Sequence, residues 1–261
     1  MGTLTNYSAA EGVAIIELCN APANAYSYDM FRELDDAILK ARFDDDVHVI
    51  VLRGAGEKFF CAGADISMLD GVTPAFKYNF CLHANETLLR LEHTNKLIIA
   101  AIGGHCVGGG LEVAMAADIR VAKAGAGKVG MPEVSLGVLP GTGGTQRLAR
   151  MVGKSKAIEM MINSTMMSVE EAADAGLINK VLPADNFWAD VMEYAKSFCP
   201  PGKASKAVGF IKRAVQSGAD LPLESGLALE RELQQQLFQS DDAKEGIGAF
   251  VGKRKAVFTG R

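Results

Sequence analysis

The chain has 261 residues and a formal charge of −4, from 27 Lys and Arg against 31 Asp and Glu. Its 49% apolar and 22% charged content is that of a folded globular protein and excludes a disordered one. The acidic balance speaks against a nucleic-acid surface, which needs clustered Lys and Arg. Cys19, Cys61, Cys81, Cys106 and Cys199 are odd in number and lack CxxC spacing. They are therefore expected to be free thiols in a reducing compartment. The first dozen residues carry neither a basic run nor an apolar stretch, so no targeting signal is expected. The most apolar segment, residues 97–111, is too short and too rich in glycine to span a bilayer. A cytoplasmic protein without a membrane partner is expected.

Residues 12–18 read as a strand. Residues 29–43 read as a helix, with Met30, Leu34, Ala37, Ile38 and Ala41 on one face. Residues 47–53 form a second predicted strand, ended by Gly54 and Gly56. A helix is predicted over 74–92, a third strand over 96–102 and a short fourth over 118–122. Strands alternating with helix-length segments predict an α/β fold. Beyond Gly143 the strand signals fade. Ser168-Val-Glu-Glu171 is a helix-start signature, in which Ser and Glu satisfy each other's backbone N–H groups. Pro200-Pro-Gly202 marks a break. Helical spacing then runs through Ala204, Ala207, Val208, Ile211, Ala214 and Val215, and a last helix is predicted over 222–250. The expected plan is an α/β core over 1–200 and a helical region over 201–261.

Three glycine-rich segments invite a functional reading. Gly125-Ala-Gly127-Lys-Val-Gly130 matches a dinucleotide fingerprint, but Pro132 follows and no helix opens, so it reads as a loop. Phe59-Phe-Cys-Ala-Gly-Ala-Asp-Ile66 and Gly103-Gly-His-Cys-Val-Gly-Gly-Gly-Leu-Glu112 each follow a predicted strand. Backbone N–H groups in such turns attract negative charge, and two turns facing one point would make an oxyanion hole. Glu112 lies in an apolar run, and Glu133 lies in Met131-Pro-Glu-Val-Ser-Leu-Gly137. Carboxyls in apolar surroundings gain protons more readily, which suits acid/base chemistry near neutrality.

These segments together resemble the enoyl-CoA hydratase/isomerase, or crotonase, family. The resemblance also runs through Ala21-Pro-Ala-Asn-Ala25, Pro140-Gly-Thr-Gly-Gly-Thr-Gln-Arg-Leu148 and Ala249-Phe-Val-Gly-Lys-Arg-Lys255, and so covers the chain. It implies a spiral of ββα units with a C-terminal helical region. It implies an acyl-CoA substrate, no metal and no further cofactor. The family match assigns Glu112 and Glu133 to catalysis, the N–H groups of Ala62 and Gly109 to the oxyanion hole, and Gly141 to its support. It assigns Ala25, Lys58, Ala62, Gly63, Ala64, Asp65, Ile66 and Met68 to CoA and substrate binding. Phe250 and Lys253 are expected to reach a neighbouring subunit's CoA in a trimer or a dimer of trimers. Retention of both glutamates favours hydration of a 2-enoyl-CoA over double-bond isomerisation. Gly141 stands where dienoyl isomerases carry an aspartate. A few relatives bind RNA, a role that the acidic charge disfavours.

Overall fold

The computed structural model describes residues 3–261. It opens with an antiparallel pair, β1 (Thr5–Ala10) and β2 (Val13–Leu18). Only the second was predicted. β1 is an edge strand with mostly exposed side chains, so it has no apolar alternation to read. Ser27 starts α1 (Tyr28–Phe43) by accepting the Met30 N–H at 3.2 Å. The buried face of α1 contains all five residues that the periodicity placed there, together with Phe31.

The chain then winds through three similar turns. The first is β3 (Val49–Gly54), β4 (Phe59–Cys61), α2 (Ile66–Asp70) and α3 (Pro74–Glu92). The second is β5 (Leu97–Ile102), β6 (His105–Val107) and α4 (Gly109–Met115). The third is β7 (Ile119–Lys123), β8 (Lys128–Gly130) and a 3-10 turn over Glu133–Leu136. Gly125 to Gly130 is thus a turn running into a strand, with no nucleotide-type helix after it. The rest is α5 (Gly144–Val152), α6 (Lys154–Ile162), β9 (Met166–Ser168), α7 (Val169–Asp174), β10 (Lys180–Leu182) and α8 (Phe187–Lys196). Three C-terminal helices follow: α9 (Ser205–Gly218), α10 (Leu223–Phe238) and α11 (Asp241–Val251). The single helix expected over 222–250 is broken, because the Ser240 hydroxyl accepts the Ala243 N–H at 3.1 Å and starts a new one.

A six-stranded sheet has the order β1-β2-β3-β5-β7-β10 and is parallel from β2 onward. A smaller sheet has the order β4-β6-β8-β9, with its first three strands parallel. β5 reads Leu-Ile-Ile-Ala-Ala-Ile and is buried throughout, as a strand covered on both faces must be. Ile98, Ala100 and Ile102 join one apolar cluster with Leu34 and Leu88. Leu97, Ile99 and Ala101 join another with Phe187 and Val191. Among the described residues no helix is long and apolar enough to cross a membrane.

Lys212 on α9 reaches into this sheet. Its Nζ lies 3.0 Å from Asp118 and donates to the Leu91 carbonyl at 2.8 Å. Asp118 also accepts the Ile98 N–H at 2.7 Å. Burial pushes the Asp118 carboxyl up and the Lys212 ammonium down, while each partner's charge opposes the shift. Lys212→Met leaves a buried carboxylate unpaired and should cost about 3–5 kcal/mol in urea unfolding. Adding Asp118→Asn should recover part of that loss. Equal, sub-kilocalorie effects in the single and double variants would show that the pair does not hold α9 in place.

Candidate active site

Three adjacent parallel strands of the small sheet, β4, β6 and β8, end side by side. Their following turns carry Ala62 to Ala64, Gly108 to Gly109, and Pro132 to Glu133. All of these residues line one cavity of about 480 Å3. Binding at the carboxyl ends of parallel strands is a general outcome of such topology.

Close packing requires the glycines here. A Cβ on Gly109 would come within 1.9 Å of the Tyr26 hydroxyl, and one on Gly110 within 2.0 Å of the Cys61 carbonyl oxygen. Tyr26 is buried and braced edge-on by Phe31 at 4.8 Å, so it cannot swing aside. A Cβ on Gly63 would lie 3.1 Å from the Gly109 nitrogen, which brings the first two turns into contact. The third touches them as well, since a Cβ on Gly108 would meet Glu133 Oε1 at 2.8 Å.

Glu112 sits in the first turns of α4 and is 1% exposed. Its Oε1 accepts the N–H groups of Thr142 at 2.8 Å and Gly144 at 2.6 Å. The Thr142 hydroxyl donates to Oε2. Burial raises the Glu112 pKa, and these donors, with the Arg147 charge, oppose the rise. Arg147 makes a two-pronged ion pair with Glu92, both bonds 2.8 Å, and donates to the Thr142 carbonyl at 3.1 Å. Thr142, Gly144, Tyr26, Glu92 and Arg147 were not predicted. Three of them stand in the quoted Pro140 to Leu148 motif, which carried the signal.

Glu133 is held differently. It is half-buried, and its Oε2 is shielded from solvent without a hydrogen-bond partner. Desolvation, with a smaller push from Glu112, raises its pKa to about 7. One carboxyl is therefore anchored and the other is free to exchange a proton.

One expectation is corrected. The Ala62 N–H donates to the Ala23 carbonyl at 3.0 Å and is not free for a ligand. Tyr26 bridges the same turn, donating its N–H to Gly63 and accepting from Asp65. In a parallel bridge of this kind the N–H of Ala64 faces away, and it has no partner among the described residues. Nor has the N–H of Gly109, the first residue of α4.

Of the other predicted residues, Gly63, Ile66 and Gly141 line the cavity with Ala62, Ala64 and Gly109. Asp65 instead caps α2, accepting the Ser67 N–H at 2.9 Å. Met68 packs against the apolar core. Ala25 and Lys58 lie in loop segments outside the cavity lining, tied together by Asn24, whose side chain donates to the carbonyls of Ala55 and Phe59. Phe250 is 87% exposed and Lys253 is exposed, both away from this cavity's lining.

The family model for enoyl-CoA hydratase/isomerase matches residues 8–261. The chain belongs to the enoyl-CoA hydratase/isomerase family. It is 37% identical over 247 residues to a short-chain-enoyl-CoA hydratase of Clostridium acetobutylicum, covering 94% of each protein. It is 40% identical to a probable enoyl-CoA hydratase of Rhizobium meliloti, covering 91% of this chain and 90% of that one. A crystal structure of an enoyl-CoA hydratase from Geobacillus kaustophilus superposes with a TM-score of 0.97 at 42% identity, covering 100% of this chain and 98% of that one.

The raised Glu133 pKa fixes the sign of a pH effect on stability. Between the ordinary carboxyl value of 4.5 and about 7 the folded state keeps a proton that the unfolded chain releases. The stability associated with this group is thus complete at low pH and lost as pH rises through that window. Urea unfolding should show Glu133→Gln gaining on the parent as pH rises from 4.5 to about 7 and keeping a constant lead above it. A pH-independent difference would place the Glu133 carboxyl in its ordinary range.

Proposed function

We propose that this enzyme adds water to a 2-enoyl-CoA thioester and yields a 3-hydroxyacyl-CoA. The observation that carries this reading is the pair of unlike carboxyls on one cavity, Glu112 anchored by three donors and Glu133 with an oxygen shielded from solvent and unpartnered, its pKa raised to about 7 by desolvation. The names of the relatives support it.

The thioester oxygen accepts from the N–H groups of Ala64 and Gly109. Negative charge grows on that oxygen as water attacks Cβ, so donors fixed beforehand favour the transition state over the ground state. Glu112, as carboxylate, takes one proton from the attacking water. Glu133, as acid, gives a proton to Cα. The O–H bonds of water and of Glu133 and the C=C π bond break, while one C–O bond, one C–H bond and the O–H bond of Glu112 form; Glu112 then gives its proton to solvent and Glu133 regains one, which resets the pair. The addition is redox-neutral and proton-balanced, so the reaction is proposed to need no cofactor beyond the CoA carried by the substrate. An isomerase would need one proton carrier. The three donors that fix Glu112 favour hydration.

Lys58 and Ala25 border the CoA in this reading. Ile247, Phe250 and Val251 leave an apolar face of α11 exposed, which supports packing against a second copy in a trimer or a dimer of trimers. Lys253 then meets that copy's CoA phosphates. All five cysteines are free, which supports a reducing, cytoplasmic location.

A panel of linear and cyclic 2-enoyl-CoAs, followed by loss of the conjugated thioester absorbance, tests the activity. Glu112→Gln and Glu133→Gln should each lower kcat by about 10²-fold or more. Because Glu133 must hold its proton to donate it, kcat/KM should fall as pH rises past about 7. That limb should vanish in Glu133→Gln. Parent-like rates in either variant, or an unmoved limb, would overturn the assignment.

A further inference from the structure

The wall of the cavity formed by Ile66, Leu69, Val72, Leu136 and Leu139 is apolar. Lys77 lines the same cavity. It is the only cationic side chain lining the cavity among the described residues, and it is half-buried in the first turns of α3. It makes no salt bridge among the described residues. Its Nζ lies 5.5 Å from the centre of the Phe80 ring, whose π-face offers a cation only weak compensation. Thr73 and Pro74, at the N-terminus of α3, also line the cavity and add the positive end of the helix dipole.

An ammonium is costly to bring out of water without an anion, and lysines ordinarily extend their heads to solvent. Glu133 does not fill the vacancy. The Lys77 charge pulls the Glu133 pKa down, but desolvation outweighs it and Glu133 still titrates at about 7. The two groups share a field, not a bond. A purely hydrocarbon tail laid against Lys77 would desolvate the ammonium and offer nothing in return.

We propose that Lys77 receives a negatively charged distal end of the acyl group, so that this enzyme prefers short 2-enoyl thioesters ending in a carboxylate to those ending in a methyl. The inference rests on the hydratase reading above and names the substrate class of that site. The apolar wall holds the carbon chain, the two N–H groups hold the thioester at one end, and the ammonium with the α3 N-terminus holds the carboxylate at the other.

The test is the ratio of kcat/KM for glutaconyl-CoA to that for crotonyl-CoA, in the parent, Lys77→Met and Lys77→Arg. A ratio within one variant cancels any shared change in folded fraction or in Glu133 acidity. The parent should favour glutaconyl-CoA, and Lys77→Met should lower the ratio about tenfold or more, the scale of a hydrogen bond between charged groups. Lys77→Arg should keep most of the preference, and salt should weaken it. A parent preference for crotonyl-CoA, or a ratio unchanged in Lys77→Met, would overturn the proposal. If the parent hydrates neither, the hydratase reading is decided by the wider panel above, and calorimetry with saturated thioesters decides the subsite alone. Tighter binding of glutaryl-CoA than of butyryl-CoA, lost in Lys77→Met, would uphold it, and equal binding would overturn it.

Discussion

A carboxylate buried as deeply as Glu112 must find hydrogen-bond donors or lose its charge. That demand organises the centre of this molecule. Thr142 and Gly144 both aim their N–H groups at one oxygen, which requires a sharp reversal between them, and Gly143 supplies it at φ +108. A Cβ on Gly144 would lie 2.9 Å from that same oxygen, so a side chain there would crowd the donor pair apart. Arg147 then holds the Thr142 carbonyl from behind and is itself gripped by Glu92 of α3. One buried charge thereby latches α3, α4 and α5 to each other.

The second constraint is steric. The turns after β4 and β6 approach so closely that no side chain fits between them. Gly109 lies against Tyr26 and Gly110 against the Cys61 carbonyl. Buried backbone this tightly packed has little room to relax, so the free N–H groups of Ala64 and Gly109 are held in place before any ligand arrives. That is the condition under which such donors contribute most to a transition state.

Much of this was legible in the sequence. The stripe on α1 follows directly from helical spacing, and α3 runs over the predicted residues 74–92, opened by Thr73 and Pro74. The three-residue strands β4, β6 and β8 were hidden, because three residues are too few for a period to show. The glycine turns and the two glutamates were identified by motif. Which N–H of the first turn is free was not. That depends on the Tyr26 bridge and on the φ of +90 at Gly63, both products of tertiary contact. The resemblance places residues 72–82 beside the acyl chain, but it does not single out Lys77. In sequence it is one charge on an amphipathic helix, and only the packed cavity reveals that its surroundings are apolar.

The latch around Glu112 also has a consequence for how the protein is made. Its parts come from widely separated stretches of chain: Tyr26 beneath Gly109, then Glu92, then Glu112, and finally Thr142 to Arg147. Contacts of such long sequence separation close late, after the local helices and hairpin have formed. On a ribosome, the growing chain can lay down the first strands of the large sheet while Glu112 still lacks its donors. The centre is completed only when the segment ending at Arg147 has emerged, and any chain released before that point carries the first strands of the large sheet without an anchored Glu112.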